Sequence, residues 1–296
     1  MRERLAAMKN QRPEIKVLAQ ITGEDRFFEW AHSIGVATDD KLRSIAPAIP
    51  HFAIRRLSGQ GITEANFLYS GLTDAKALIE YYRRLANANG PATVLDFGCG
   101  CGRVLRFLSQ LPDISAFGSD VNPDHVAWCR LALPQTTVKA NGPLPPLDYE
   151  SESFDFVYAY SVFTHLSERA MFAWLDELGR VIKPGGIVLL TTHGEKIIRF
   201  IINNENVRRS FRMTTQEVSD LLRQLPSLGF VFRRRDEEQL KRTKVGDDYG
   251  VSFMHESYIR EHWPRDIFEI VEFIPAGLCE RHDIVLDQDI VLMRRL

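Results

Sequence analysis

Between Val94 and Val104 the chain reads Val-Leu-Asp-Phe-Gly-Cys-Gly-Cys-Gly-Arg-Val, an apolar run that ends on a carboxylate and turns through three alternating glycines. A helical pattern follows at once. No other feature restricts the fold as much. A strand that breaks through glycines into a helix brings bare backbone N–H groups to a helix N-terminus, where aligned peptide dipoles favour a small anionic or zwitterionic ligand. Gly98, Gly100 and Gly102 give G-x-G-x-G, and Arg103 stands where a dinucleotide-type G-x-G-x-x-G needs its third glycine. Asp96 is not part of the dinucleotide fingerprint either.

The order of elements around this loop predicts an α/β fold. Thr93 to Phe97 reads as the first strand, and Val104, Phe107, Leu108 and Leu111 recur at helical spacing until Pro112. Ala116 to Asp120 is a second strand, followed by an N-cap at Asn122, Pro123 at the first helical position and a helix through Leu133. Thr137 to Lys139 is a short third strand and Phe154 to Tyr160 a buried fourth. Ser167 can cap a helix with Met171, Trp174, Leu175 and Leu178 on one stripe. Lys183-Pro184-Gly185-Gly186 is a turn, and Ile187 to Thr191 a fifth strand. Strands separated by helices in this order imply right-handed crossovers and a doubly wound parallel sheet. Ile267 to Ile274 and Ile284 to Met293 have no helix between them and predict a hairpin, which sets one antiparallel strand into that sheet.

The same reading divides the chain. Residues 1–72 form an N-terminal helical and loop extension, a candidate lid, and residues 73–296 the main domain. A helix over about 74–88 opens that domain, and residues of about 195–264 make an insertion over the C-terminal sheet edge, where open α/β folds bind ligands.

Composition excludes several classes of function. The chain has 296 residues, 26% charged and 45% hydrophobic, with a net charge of −2. That balance suits a folded domain and opposes a protein built to grip phosphate backbones, so no nucleic-acid partner is expected. No apolar run approaches bilayer length, and the N-terminus lacks the apolar core of a secretory signal. The four cysteines, Cys99, Cys101, Cys129 and Cys279, form neither a disulfide framework nor a zinc spacing. A cytoplasmic protein without a metal site is the expectation; the oligomeric state is not legible.

Three further pieces accompany the glycine loop. Asp120 ends the second strand, where a carboxylate can accept hydrogen bonds from ribose hydroxyls, and Val121 follows it. Asn141-Gly142 follows the third strand; such a dipeptide also makes turns. Ser161-Val162-Phe163-Thr164-His165-Leu166 leaves the fourth strand. Over about residues 94–193 this constellation resembles the class I S-adenosylmethionine (SAM) methyltransferases, the loop matching their motif I. The resemblance implies a Rossmann-like seven-stranded sheet and SAM as cofactor. It implies that Gly98, Cys99, Gly100, Gly102 and Arg103 hold the methionine carboxylate, Asp96 its amino end, Asp120 the ribose and Asn141 the adenine amine. Gly142, Ser161 and Val162 would lie under the adenine and methionine ends.

A sulfonium methyl is already activated, so the protein mainly has to align an acceptor and exclude water. A hydroxyl acceptor also needs a base, and His165 and His193 both fall at the catalytic edge, His165 preferred. The aromatic-rich stretch Tyr249 to His255 and the strip Asn66 to Gly71 resemble substrate-side and lid segments, which makes Tyr69, Phe163, Tyr249, Phe253 and His255 substrate-binding candidates. The expected activity is methyl transfer to a small molecule, with a sugar or glycan-precursor hydroxyl favoured. RNA or protein methylation, a non-catalytic SAM-binding module and, last, a nicotinamide oxidoreductase are the rivals. The basic run Arg233-Arg234-Arg235 reads as a solvated face.

Overall fold

A computed structural model describes residues 50, 64–86, 90–235, 246–277 and 288–296. The helix α1 (Glu64–Ala86) leads into β1 (Ala92–Phe97). Then follow α2 (Leu105–Leu108), β2 (Ile114–Asp120), α3 (Pro123–Ala132), β3 (Thr137–Ala140), β4 (Phe154–Ala159), α4 (Glu168–Val181) and β5 (Ile182–Thr192). An insertion carries α5 (Glu195–Asn203), α6 (Glu205–Ser210), α7 (Thr215–Leu228), β6 (Phe230–Arg234), β7 (Gly250–Met254) and α8 (Glu256–His262). The chain closes with β8 (Phe268–Ile274) and β9 (Asp289–Arg295).

The sheet is seven-stranded in the order β3-β2-β1-β4-β5-β9-β8. β3, β2, β1, β4 and β5 pair in parallel, and β9 runs antiparallel to both β5 and β8. The predicted doubly wound sheet with one antiparallel strand is therefore the observed one. Strand alternation divides its faces. Val94, Phe156, Tyr158, Ile187, Leu189, Ile290 and Leu292 pack toward α1, α2 and α3. Leu95, Val157, Val188, Leu190, Val291 and Met293 pack toward α4 and α8. Both faces are covered, which is why the central strands read as unbroken apolar runs.

Local signals act where expected. Asn122 accepts from the Asp124 N–H with Pro123 behind it, and Ser167 accepts from the Ala170 N–H. The turn at 183–186 is accommodated as a bulge, since β4 pairs with Ile182 and then with Ile187.

Four expectations need correction. The boundary after residue 72 falls inside α1, because Leu68, Leu72, Ala75, Ile79 and Tyr82 form one buried stripe. The strip 66–71 is therefore helical, with Phe67 and Leu68 in the core rather than on a lid. α2 is a single turn that ends at Leu108, before Pro112. The last strand starts at Asp289; residues 284–287 and Cys279 lie outside the described residues, as do nearly all of residues 1–63. Among the described residues no helix is long and apolar enough to cross a membrane.

Candidate active site

The glycine loop is tied to the end of β2. Gly98 and Cys99 donate to the Ser119 carbonyl at 2.8 and 2.9 Å, and the Gly100 N–H donates to Asp120 Oδ2 at 2.8 Å. Asp120 Oδ1 accepts from the Asn122 N–H at 2.8 Å, with His125 Nδ1 3.3 Å away. Asp120 thus braces the loop, and lone pairs on the same carboxylate remain for a ligand. Gly98, at φ 79°, has no room for a side chain: a Cβ there would lie 2.3 Å from Val162 Cγ2. That contact seats the turn after β4 directly on the loop.

Asp96 is buried at 3% exposure and shares a face and a register position with Tyr158. Among the described residues its carboxylate makes no hydrogen bond and no ion pair. Burial pushes its pKa up to about 7, while the Tyr158 hydroxyl and the Arg103 charge pull it back only in part. The Tyr158 hydroxyl, itself buried, is near enough to act on Asp96 yet completes no hydrogen bond. A buried acid without a counter-charge is stabilised by a cationic ligand group such as an ammonium.

Arg103 departs from expectation. Its guanidinium is ion-paired with buried Asp74 from α1 and lies 5.0 Å over the Tyr160 ring. The pair pins α1 to the loop. Gly71 makes the same junction possible, because a Cβ there would lie 2.2 Å from the Arg103 carbonyl. Asn141 presents a buried Oδ1 without a partner among the described residues, suited to accepting from an exocyclic amine, while its amide N–H donates to the Gly142 carbonyl at 2.7 Å.

Beyond β4, Ser161 takes a left-handed φ of 59°, strained for a residue with a side chain. Its N–H donates to Thr191 Oγ1 at 2.7 Å, and Gln288 bridges Ser161 Oγ and Thr191 Oγ1 at 2.9 and 2.6 Å. His165 follows four residues later. Its Nδ1 lies 2.8 Å from the Gly250 carbonyl. A carbonyl can only accept, so Nδ1 carries the proton and Nε2 keeps its lone pair. Burial, helped by the Arg235 charge, lowers the His165 pKa to about 4, so the ring is neutral at physiological pH. Tyr249 stacks on it at 5.0 Å.

β7 runs over both histidine segments like a strap. Ser252 and Gly250 donate to the Thr164 and His165 carbonyls at 2.9 and 2.8 Å, and Met254 donates to the His193 carbonyl at 2.8 Å. His193 is buried between Phe211 and Phe253, with ring centroids 5.7 and 5.6 Å away, and burial takes its pKa to about 3. It forms a wall beside His165.

The substrate candidates separate. Tyr249 lies against His165. Phe163 and Phe253 are fully buried, Phe163 against Trp263 and Phe253 in the core of the insertion, so neither side chain is open at the surface of the site. His255 caps α8 by accepting from the Ser257 N–H. Tyr69 lies in α1, and its side chain is outside the described residues. The sequence reading missed Asp74, Tyr158, His125 and Gln288. Only Tyr158 left a signal, since its parity with Phe156 on β4 puts it on the Asp96 face.

The segment that carries this site is similar to known proteins. Residues 94–186 match the methyltransferase domain family. The chain is 34% identical over 106 residues to a 2-methyl-6-phytyl-1,4-hydroquinone methyltransferase of Synechocystis sp., covering 35% of this chain and 33% of that protein. It is 28% identical over 149 residues to a probable S-adenosylmethionine-dependent methyltransferase of Mycolicibacterium smegmatis, covering 50% of this chain and 56% of the relative. The matched segments thus span between a third and just over half of those relatives. A SAM-dependent methyltransferase structure from Methanosarcina mazei aligns over 74% of this chain and 96% of its own, at 19% identity and a TM-score of 0.47.

Proposed function

We propose that this chain, whose residues 94–186 match the methyltransferase domain family, is a SAM-dependent methyltransferase that transfers a methyl group to the hydroxyl of a small-molecule acceptor. A sugar or glycan precursor is the acceptor class favoured by the sequence resemblance. The observation that carries the reading is that the loop after β1 and the turn after β4 meet directly at Gly98 and Val162. Asp96, buried and with no hydrogen bond or ion pair among the described residues, stands two residues before that glycine, and His165, its Nδ1 on the Gly250 carbonyl and its Nε2 lone pair left over, three residues after that valine.

The donor set fits the cofactor. Asp96 would meet the ammonium, the backbone of Gly98 to Gly102 the carboxylate, Asp120 the ribose and Asn141 Oδ1 the adenine amine. Arg103, engaged with Asp74, would shape the loop rather than grip the ligand. When bound, SAM supplies a methyl on a sulfonium whose leaving group is a neutral thioether. His165 Nε2 would accept the hydroxyl proton of the acceptor, with the Gly250 carbonyl holding the ring by its Nδ1–H. β7, the Tyr249 ring and the Phe211–His193–Phe253 stack would exclude water from that edge.

Thermal unfolding with SAM, S-adenosylhomocysteine or NAD, followed by transfer of a labelled methyl to hydroxyl acceptors, tests the reading. Stabilisation by both adenosyl ligands and not by NAD is expected. His165→Ala should keep that stabilisation and lose roughly 100- to 10,000-fold in turnover. Stabilisation by NAD alone would contradict the cofactor, and full turnover in the alanine variant would remove His165 from the reaction.

A further inference from the structure

The three arginines at the end of β6 do not share one environment. Arg233 is ion-paired with Glu217 at 3.2 Å and Arg234 with Asp247 at 2.5 Å. Among the described residues Arg235 has no acidic partner. Its guanidinium lies 5.0 Å over the Tyr249 ring, and Tyr249 in turn stacks on His165 at 5.0 Å. One half-exposed guanidinium, without an acidic partner among the described residues, is thus held a single aromatic ring from the histidine whose lone pair would take the acceptor's proton.

A guanidinium on an aromatic face keeps its N–H fork free at the edge, and that fork matches a carboxylate or phosphate. We infer that the acceptor carries an anionic group, a carboxylate or a phosphate, and that Arg235 on Tyr249 binds it and so selects the substrate. This rests on His165 lying at the acceptor edge, as proposed above. Binding and proton transfer would then be coupled. The Arg235 charge is one of the causes that keep His165 unprotonated, so an anion that neutralises it makes the imidazole a stronger proton acceptor when the right substrate is present.

Matched acceptor pairs test the inference: 3-hydroxybenzoate against 3-hydroxybenzyl alcohol for the carboxylate, and glucose 6-phosphate against glucose for the phosphate. The anionic member of at least one pair should be preferred through KM. Arg235→Gln should raise that KM by roughly 10- to 100-fold at pH 8 with SAM affinity little changed, and leave the KM of the neutral member where it was. Arg235→Lys should restore part of the loss. The acid limb of kcat/KM, which reports His165 in the free protein, should move to higher pH in Arg235→Gln. Methyl transfer that ignores the anionic group, or an Arg235→Gln variant with an unchanged ratio, overturns the inference while the methyltransferase reading stands. If SAM binds and neither pair is methylated, calorimetry of 3-hydroxybenzoate and glucose 6-phosphate with the S-adenosylhomocysteine-loaded protein decides. Arg235-dependent binding sustains the anion site, and absent or Arg235-independent binding ends it.

Discussion

A carboxyl group held near neutrality inside a fold costs free energy whenever it ionises without a counter-charge, and Asp96 is in that position. Its folded-state pKa of about 7 lies above the ordinary 3.8, so the folded state holds the proton more tightly than the unfolded one. No penalty exists below the lower value; it grows as pH rises between the two and is complete above the upper. Asp96→Asn, uncharged and nearly isosteric, should therefore raise the melting temperature of the ligand-free protein at pH 8. The gain is on the order of a few kcal/mol and should vanish near pH 4. The same variant should bind SAM more weakly at pH 8. Calorimetric scans at the two pH values check this, and equal shifts at both would show that the acid is already neutralised. His165 and His193 act in the opposite sense. Their pKa values are depressed to about 4 and about 3, so they carry no penalty above about 6.5; stability is lost as pH falls below that value, and the loss is complete once the folded values are passed.

Elements meet at the site through contacts that leave no slack. Gly98→Ala would drive a Cβ into Val162 Cγ2 and force a side chain into a left-handed φ of 79°. It should cost roughly 1–3 kcal/mol and weaken SAM binding. Val162→Ala in the same chain should return part of both, because it removes the clash but not the backbone strain. A double-mutant cycle read by chemical denaturation and SAM titration measures this; strictly additive losses would show that loop and turn are not in contact. β7 is coupled to the site by its backbone N–H groups, by the Ser252 hydroxyl on the Phe163 carbonyl and by the Phe253 ring on His193. A Cβ on Gly250 would lie 2.2 Å from the Arg233 carbonyl, so Gly250→Val should pry β7 from β6. Amide exchange should then quicken at the strap's three donors, Gly250, Ser252 and Met254, while β1 and β4 stay protected. Unchanged exchange at those positions would mean that the strap is held by something other than its ladder.

At the scale of the molecule, a buried ion pair joins α1 to the glycine loop. Removing one partner strands the other charge, so Asp74→Leu should destabilise by about 3–5 kcal/mol, whereas Asp74→Leu with Arg103→Met should recover much of that. A double variant as unstable as the single one would show that α1 docks by its apolar stripe alone. How much of this could be read in advance follows from the range of each interaction. The central strands were legible because burial on both faces writes them as continuous apolar runs, and Asn122 and Ser167 announce their helices locally. The glycine loop, Asp120 and Asn141 were legible because their spacing is fixed by the strand ends. The Asp74–Arg103 pair was not, since it depends on how α1 docks 29 residues upstream. Phe163, in the turn after β4, and Phe253, on β7, looked like pocket walls because aromatic content does not reveal which way a side chain faces. Ser161's strain and the Gln288 bridge across 127 residues exist only in three dimensions. The most direct measurement of the central claim is a crystal structure of the protein with S-adenosylhomocysteine. The account predicts the amino-acid tail along Gly98 to Gly102 with its ammonium on Asp96 and the ribose at Asp120. A ligand lodged away from this loop, or with its ammonium turned from Asp96, would contradict it.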